Sequence, residues 1–282
     1  MNQTILSLKE LQKMAVEVRK KILFTAHYHK QGHVGGSLSC ADILTTLFFT
    51  QLAIDPDNPD WEDRDRFVLS KGHTALGLYV VYALRGYFPE EELKTFDQYN
   101  SRLQAHPDMT RLDALDMSTG SLGQGISAAV GMAIGAKWLE RNFHVYTLIG
   151  DGESQEGQVW EALNTASKYD LDNLIVTLDN NGLQQFGWKH GASRGVPETE
   201  AGAKFKSFGF DVFEVDGHDL TSLVDVYEEA RLMKNNRPKA IVANTVKGRG
   251  VSFMENDHNW HSKAPNDEEY ERALRELEKG VE

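Results

Sequence analysis

Between residues 121 and 245, short apolar segments typical of buried strands alternate with segments of helical periodicity. The predicted strands in this region are residues 144–149, 173–178, 210–215 and 239–245, and the predicted helices are 121–141, 156–169, 204–208 and 220–234. Strands that alternate with helices in this way form parallel βαβ units. The pattern therefore predicts an α/β fold with a doubly wound, mainly parallel sheet and helices on both faces.

The rest of the chain extends this pattern at both ends. Residues 7–30 predict an amphipathic helix, and the glycine-rich segment 31–37 predicts a turn before a second helix from about Ala41. Residues 65–70 predict a short strand that leads into another helix, and the charged tail, residues 267–279, predicts a solvated terminal helix. Residues 89–116 and 181–199 are long connections of the kind that often carry function. We expect residues 1–282 to form a single domain.

Charge and composition narrow the classes of function. The chain has 282 residues and a formal net charge of −12, which argues against binding to nucleic acid or to anionic membranes. Its one cysteine, Cys40, cannot form an intrachain disulfide, as is common in reducing compartments. No segment reaches the roughly 20 apolar residues of a membrane span, and the first residues lack the layout of a signal peptide. We therefore expect a soluble, cytoplasmic protein.

Polar residues follow two of the predicted strands. The tripeptide GDG at 150–152 follows one strand, and DNN at 179–181 follows the next. Asp151 and Asn181 are 30 residues apart, about the length of one βαβ unit, so both are expected at the carboxyl ends of neighbouring strands. Carboxylate and carboxamide oxygens suit Mg²⁺ or Ca²⁺ and suit zinc poorly. The sequence therefore predicts a divalent metal site at this edge of the sheet.

The same segment has features that suit a diphosphate. Gly150 and Gly152 permit close approach of the backbone, and a helix beginning near Gln155 would direct free N–H groups toward an anion. The alternative is that GDG and the Asn181-Gly182 pair are only turns, because such dipeptides are common. Their joint placement in a strand–turn–helix–strand context favours a binding site. The chain contains neither a G-x-G-x-x-G helix start after a strand nor a G-x-x-x-x-G-K-[ST] loop.

The GDG…NN pair resembles the fingerprint of thiamine-diphosphate enzymes. This resemblance implies the thiamine-diphosphate-binding fold, with thiamine diphosphate held through Mg²⁺ or Ca²⁺. It also implies that Asp151, the side chain of Asn181 and the backbone carbonyl of Leu183 bind the metal. Gly152 would contact the diphosphate.

Five further motifs occur in the order seen in transketolases, and the resemblance covers about residues 8–265. They are GHVGGS at 32–37, DRFVLSKGH at 65–73, AHPD at 105–108, TGSLGQG at 119–125 and WHSKAP at 260–265. The resemblance implies that the matched histidines line a channel over the cofactor, where they bind substrate hydroxyls and move protons, with His73 also at the cofactor. Imidazole suits both tasks near neutral pH, although a histidine beside glycine can also be a simple loop or cap residue. These histidines are His33, His73, His106 and His261.

Three more residues acquire roles through the same resemblance. Gly120 and Leu122 match backbone contacts to the aminopyrimidine ring, and the alternative for them is ordinary helix packing. Glu156 matches a carboxylate that reaches the dimer interface and communicates between active sites. An acid at the start of a helix also interacts favourably with the helix dipole, so both interpretations of Glu156 stay open.

The resemblance implies that this chain is half of an enzyme. A full-length transketolase also carries a pyrimidine-binding domain and a third domain, and we expect this chain to correspond to the first domain only. A C-terminal transketolase subunit is therefore the expected partner, in an α2β2 heterotetramer with cofactor sites between unlike chains. Together the two subunits would transfer a two-carbon ketol unit from a ketose phosphate to an aldose phosphate.

Two other functions remain as alternatives. One is the diphosphate-binding half of an enzyme like 1-deoxyxylulose-5-phosphate synthase, which joins pyruvate to glyceraldehyde phosphate, although DRFVLSKGH and TGSLGQG match transketolases better. The other is a non-catalytic paralogue that binds cofactor and supports a partner, although the intact His33, His73, Asp151 and Asn181 count against it. The donor sugar stays open, and sulfonated or otherwise modified sugars are included.

Overall fold

The computed structural model describes residues 6–185 and 200–279. In that part of the chain the strands are β1 (Arg66–Leu69), β2 (Val145–Gly150), β3 (Leu174–Asn180), β4 (Asp211–Asp216) and β5 (Lys239–Asn244). They form one sheet in the order β1-β2-β3-β5-β4, and every neighbouring pair is parallel. Each of these strands was predicted from the sequence to within two residues, so the parallel sheet is confirmed.

Helices cover both faces of this sheet. The α-helices are α1 (Leu8–His29), α2 (Val34–Ser39), α3 (Ala41–Thr46), α4 (Ala75–Arg85), α5 (Gln124–Trp138), α6 (Gly157–Lys168), α7 (Ala201–Ser207), α8 (Leu220–Leu232) and α9 (Asp267–Lys279). A π-helical segment spans Leu47–Gln51, and short 3₁₀ turns span Gly72–Thr74, Glu90–Thr95, Glu153–Gln155 and His258–His261.

Alternate residues of a strand point to opposite faces of the sheet, and β2 shows this clearly. Tyr146 and Leu148 belong to one buried core with α1, α3, α4 and α8, whereas Val145 and Ile149 belong to a second core with α5, α6 and α7. The sheet is therefore doubly wound, as predicted.

The prediction of a turn over the glycine-rich segment 31–37 is wrong, because α2 begins within it at Val34. Glycine there serves packing. A Cβ atom on Gly35 would lie 2.9 Å from the carbonyl oxygen of Trp260, and one on Gly36 would lie 2.9 Å from Cγ2 of Thr74. Glycine costs a helix stability, but here it allows the helix backbone to approach its neighbours closely.

Strand register brings the polar segments to one edge. Gly150 of β2 is paired with Asp179 of β3, and Asp179 is paired with Ala243 of β5. The residues that follow these strands therefore emerge side by side at the carboxyl edge, where open α/β sheets bind ligands.

The charged tail forms α9, which has a buried side as well as a solvated one. Ala273 and Leu277 are buried, and α9 packs against α1. In residues 6–185 and 200–279, no helix combines the length and apolar character needed to cross a lipid bilayer.

Candidate active site

A cavity opens at the carboxyl edge of the sheet, above the ends of β2 and β3. It is lined by residues from many parts of the chain, and these include all of the predicted site residues except Glu156: His33, His73, His106, Gly120, Leu122, Asp151, Gly152, Asn181, Leu183 and His261. The long connection 89–116 contributes His106, and the long connection 181–199 contributes Asn181, Leu183, Gln184 and Gln185. The remainder of the second connection, 186–199, lies outside the described residues.

Asp151 and Asn181 lie next to each other at the base of the cavity. The Asp151 carboxylate accepts hydrogen bonds from the backbone N–H of Gly152 at 2.7 Å and of Gly182 at 2.5 Å. Oδ1 of Asn181 accepts from the backbone N–H of Leu183 at 3.0 Å. Burial and the nearby Asp179 raise the pKa of Asp151 to about 6. A divalent cation would offset the cost of that buried negative charge.

The available donors fit a hard cation. Among the described residues, no group of three or more His, Cys, Asp or Glu side chains could hold a metal ion. The oxygens at hand are the carboxylate of Asp151, the carboxamide of Asn181 and the carbonyl of Leu183, which all line the cavity. Mg²⁺ takes few protein ligands and completes its octahedron with phosphate oxygens and water, so this small oxygen set fits Mg²⁺ and a bound diphosphate.

A buried cluster beneath the cavity orients Asn181. Asp179 is fully buried and accepts hydrogen bonds from Ser39 at 2.7 Å, from the Thr245 hydroxyl and from the Lys71 ammonium. The Asn181 amide group donates to Asp179 at 3.3 Å, which fixes the carboxamide with its oxygen on the other side. The sequence contained Lys71 and Asp179 inside recognised motifs, but nothing in the sequence signals that they pair.

The charges in this cluster stabilise each other. Burial alone would lower the pKa of Lys71, but the Asp179 carboxylate holds it above its ordinary value. Burial would likewise raise the pKa of Asp179, but Lys71 and the neighbouring hydroxyl donors hold it below its ordinary value. Both groups are therefore charged, and their opposite charges balance each other. Lys71 lines the cavity, and Asp179 lies beneath it.

Glu153 organises the turn after β2. Its carboxylate accepts from the Ser70 hydroxyl at 2.5 Å and from the backbone N–H groups of Gly123 at 2.9 Å and Gly150 at 3.0 Å. It thereby ties the 150–153 turn to the start of α5. The helix predicted from about Gln155 begins two residues later, at Gly157, so the turn itself lines the cavity.

The four predicted histidines come together in the same cavity as Asp151 and Asn181. The His33 ring centroid lies 5.4 Å from that of His73, 5.9 Å from that of His106 and 5.2 Å from that of His261. The rings of His73 and His261 stack with centroids 5.2 Å apart. The geometry therefore places four imidazoles around one small volume.

Burial keeps three of these imidazoles neutral. Burial, His106 and Lys247 lower the pKa of His33 to about 4, and burial, Lys247 and His33 lower that of His261 to about 3. Burial and Lys71 lower the pKa of His73 well below its ordinary value. Each neutral ring has one N–H donor and one acceptor nitrogen, which suits hydrogen bonding to hydroxyl groups.

Lys247 also lines the cavity, although no sequence motif pointed to it. Its ammonium nitrogen lies 2.9 Å from Nδ1 of His261 and 3.5 Å from the carbonyl oxygen of Leu183. Burial and Lys71 lower the pKa of Lys247 to about 8. Because Lys247 donates to Nδ1, the neutral His261 ring carries its proton on Nε2.

Glycines shape the wall of the cavity. Gly120 has a φ of +150°, and a Cβ atom there would lie 3.1 Å from the His106 ring. A Cβ atom on Gly152 would lie 3.1 Å from Cβ of Gln184. Larger residues at either position would narrow the space for a flat ring or a diphosphate, so these glycines fit a thiamine diphosphate site.

Glu156 lies outside the cavity. It is exposed and is the N-cap residue of α6, without a side-chain hydrogen bond to the helix end. Its side chain lies close to Gly123, because a Cβ atom on Gly123 would lie 3.0 Å from Cβ of Glu156. Glu156 is therefore accessible to a partner chain, and its role at a subunit interface stays a prediction.

Comparison with known proteins gives a consistent family. A family model described as the transketolase thiamine diphosphate binding domain matches residues 12–279. The 6-deoxy-6-sulfo-D-fructose transketolase subunit SqwG of Clostridium sp. (strain MSTE9) is 43% identical over 270 residues, covering 96% of this chain and 97% of that protein. An apulose-4-phosphate transketolase subunit of Actinobacillus succinogenes is 41% identical over 278 residues, covering 98% of this chain and 99% of that protein.

A solved structure agrees with these sequence relatives. The transketolase of Campylobacter jejuni superposes with a TM-score of 0.88 at 31% identity. The superposition covers 97% of this chain but only 43% of that one. The chain thus spans nearly all of the two subunit relatives and less than half of the Campylobacter protein.

Proposed function

Because the chain belongs to the transketolase family and matches its thiamine diphosphate binding domain, we propose that it is the cofactor-binding subunit of a two-chain transketolase. With a C-terminal partner subunit, it transfers a two-carbon ketol unit from a ketose phosphate, or a comparably acidic ketose derivative, to an aldose phosphate. The chain acts as one domain that holds the diphosphate end of the cofactor.

The observation that carries this proposal is the convergence of two chemistries in one cavity. Oxygen atoms of Asp151, Asn181 and Leu183, which suit a hard cation, lie at its base, and His33, His73, His106 and His261 surround the space above them. A simple cofactor-storage protein would need the first set but not the second.

Each set has a distinct task. Asp151, Asn181 and the Leu183 carbonyl would hold Mg²⁺ or Ca²⁺, while Gly152 would contact the diphosphate and His73 the cofactor. Gly120 and Leu122 contact the aminopyrimidine ring through their backbones. Bound thiamine diphosphate supplies a nucleophilic carbon and an electron sink for breaking a carbon–carbon bond.

The histidines act on the sugar. His33 and His106 form hydrogen bonds with substrate hydroxyls, and His261 presents the N–H at its Nε2. An imidazole that accepts a hydroxyl proton while the carbon–carbon bond breaks, and returns one after transfer, provides general acid–base catalysis. Burial and neighbouring cations keep the rings of His33, His73 and His261 neutral at pH 7, so each has a ring nitrogen that can accept a proton.

A partner chain completes the site. The relatives of full matching length are named as subunits, which supports a second polypeptide that carries the pyrimidine-binding half. We propose an α2β2 heterotetramer in which Glu156, exposed beside the cavity rim, lies at the interface between subunits.

Reconstitution tests the function. The chain and its candidate partner, purified separately and mixed with thiamine diphosphate and Mg²⁺, are expected to transfer a ketol unit, whereas either chain alone is not. The donor panel is fructose 6-phosphate, 6-deoxy-6-sulfofructose, apulose 4-phosphate and pyruvate. Turnover of pyruvate alone would favour the synthase alternative instead.

Two variants separate an enzyme from a non-catalytic paralogue. Asp151→Ala and His73→Ala should abolish partner-dependent transfer, while His258→Ala, at a half-buried histidine outside the cavity, should retain it. Unchanged transfer in the first two variants would contradict the proposed function.

A further inference from the structure

The loop after β5 carries Lys247 into the cavity. The Lys247 residue is 2% exposed, and its side chain contacts His261 and Leu183. The loop backbone is held by Gly248, whose N–H donates to the carbonyl of Gly35 at 3.0 Å. The position of the ammonium therefore depends on the path of the loop between Val246 and Arg249.

A buried polar trio lies directly behind this loop. Arg19 of α1, Asp42 of α3 and His218, which follows β4, come from three separate elements. The Arg19 guanidinium donates to both Asp42 oxygens, at 2.8 Å and 2.5 Å. Nδ1 of His218 lies 2.8 Å from Oδ2 of Asp42.

The trio forms hydrogen bonds with the loop backbone on both sides of Lys247. The backbone N–H of Val246 donates to Nε2 of His218 at 2.8 Å, and Nε of Arg19 donates to the carbonyl of Arg249 at 3.2 Å. Because Nε2 accepts, the His218 proton sits on Nδ1 and is donated to Asp42. The hydrogen bonds thus run in one direction, from the loop through His218 to a carboxylate that Arg19 also holds.

We propose that Arg19, Asp42 and His218 form a brace that positions Lys247 in the cavity. The three are positioning residues, because none of them lines the cavity. That the brace serves cofactor binding rests on the proposed function, but its effect on the location of Lys247 does not.

Energetics favour this role over a purely structural one. Burying an ion pair is expensive, and apolar residues of similar volume often stabilise a core as well or better. Asp42 is 4% exposed and Arg19 is 6% exposed, so both charges carry that cost. Burial would raise the pKa of Asp42, but Arg19 and His218 lower it to about 2, so the carboxylate stays charged and keeps its hydrogen bonds. In return, the trio fixes two backbone groups on either side of Lys247, the N–H of Val246 and the carbonyl of Arg249.

Two substitutions at His218 separate the hydrogen bonds it makes. In His218→Asn the amide reaches the position of Nδ1, so the bond to Asp42 is kept and the bond to Val246 is lost. In His218→Gln the side-chain oxygen reaches the position of Nε2, so the bond to Val246 is kept. The second variant is the matched rescue.

Lysine labelling of the free full-length chain reads out the brace without cofactor. A small acylating reagent, followed by mass spectrometry, measures the labelling rate of Lys247 and of Lys239, which is fully buried at the start of β5. We expect His218→Asn to speed labelling of Lys247 by about tenfold, roughly the worth of one buried hydrogen bond. His218→Gln should stay near the wild-type rate, and Lys239 should not change in either variant.

Three results would overturn the brace: no change at Lys247 in His218→Asn, a parallel rise at Lys239, or equal effects of the Asn and Gln variants. The first would show that the loop keeps its conformation without the bond to His218, and the second would show that the variant destabilises the whole protein. The third would show that the Val246 bond is not the one that matters.

Calorimetry on the reconstituted complex tests the link to the cofactor. His218→Asn should weaken binding of thiamine diphosphate with Mg²⁺ by about tenfold, and it should have no further effect in a Lys247→Met background, because coupled residues are not additive. Additive effects would refute the link. If the wild-type complex takes up no cofactor, the proposed function fails, whereas the labelling result still decides whether the brace exists.

Discussion

Asp179→Asn should be among the most destabilising single changes at this site. Asp179 is fully buried, and Lys71 is 1% exposed, so the substitution leaves an ammonium group in the protein interior without its carboxylate. Removing one partner of a buried ion pair typically costs about 3–5 kcal/mol. Lys71 can avoid an unpaired buried charge by losing its proton. Deprotonation at pH 7 of an amine with an ordinary pKa near 10.4 costs about 5 kcal/mol. We therefore expect a loss of about 3–5 kcal/mol in the free energy of unfolding.

The reverse substitution should cost less. In Lys71→Met, Asp179 keeps hydrogen bonds from the hydroxyls of Ser39 and Thr245 and from the Asn181 amide. These donors satisfy the carboxylate in part, so the expected loss is about 1–3 kcal/mol. The two single variants therefore differ because the unpaired carboxylate keeps several hydrogen-bond donors, whereas Asp179 is the one hydrogen-bond acceptor of the Lys71 ammonium within residues 6–185 and 200–279.

The double variant is the control. Asp179→Asn with Lys71→Met removes both charges, so its loss should fall at least about 2 kcal/mol short of the sum of the single losses. Urea unfolding of the cofactor-free chain, followed by circular dichroism, measures all four free energies. A cost below about 1 kcal/mol for Asp179→Asn, or strict additivity in the double variant, would refute the reasoning.

Three further changes test other parts of the structure. Asp151→Ala should weaken calorimetric binding of thiamine diphosphate with Mg²⁺ to the reconstituted complex by more than about 100-fold, and unchanged affinity would exclude Asp151 as a ligand. Gly248→Ala should lower the free energy of unfolding by about 2–4 kcal/mol in urea titrations, because φ is +82° and the new Cβ would lie 2.3 Å from the carbonyl oxygen of Met254. Gly131→Ala in α5 is the control. It should leave the free energy of unfolding unchanged or raise it, because, apart from its own helix, no atom of the described residues lies within 4 Å of the new Cβ. Burial and nearby cations lower the pKa of His144 to about 4, so the stability from its neutral form is complete above about pH 6.5 and is lost as the pH falls toward 4. Urea titrations at pH 7 and pH 4 measure how much free energy of unfolding is lost on acidification. This loss should be smaller in His144→Asn than in the wild type by up to about 3 kcal/mol, and equal losses in the two proteins would contradict the lowered pKa of His144.

The architecture and the position of Asp151 and Asn181 at one edge of the sheet could be predicted from the amino-acid sequence alone. Strands and helices were visible because the residues that face a core recur with the period of the element, and this signal is local. The 30-residue spacing of Asp151 and Asn181 predicted neighbouring strand ends, and β2 and β3 are indeed adjacent. The motifs also predicted the histidines that meet above these strands.

What lies beneath and behind those residues became visible only in the folded chain. The position of β5 between β3 and β4, the pairing of Lys71 with Asp179 and the entry of Lys247 depend on contacts between distant segments. The helix in the glycine-rich segment likewise forms because neighbouring elements approach its backbone closely, against the local preference of glycine. Such contacts leave no periodic trace in the chain, because they are selected by the free energy of the packed whole and not by the preference of any one segment.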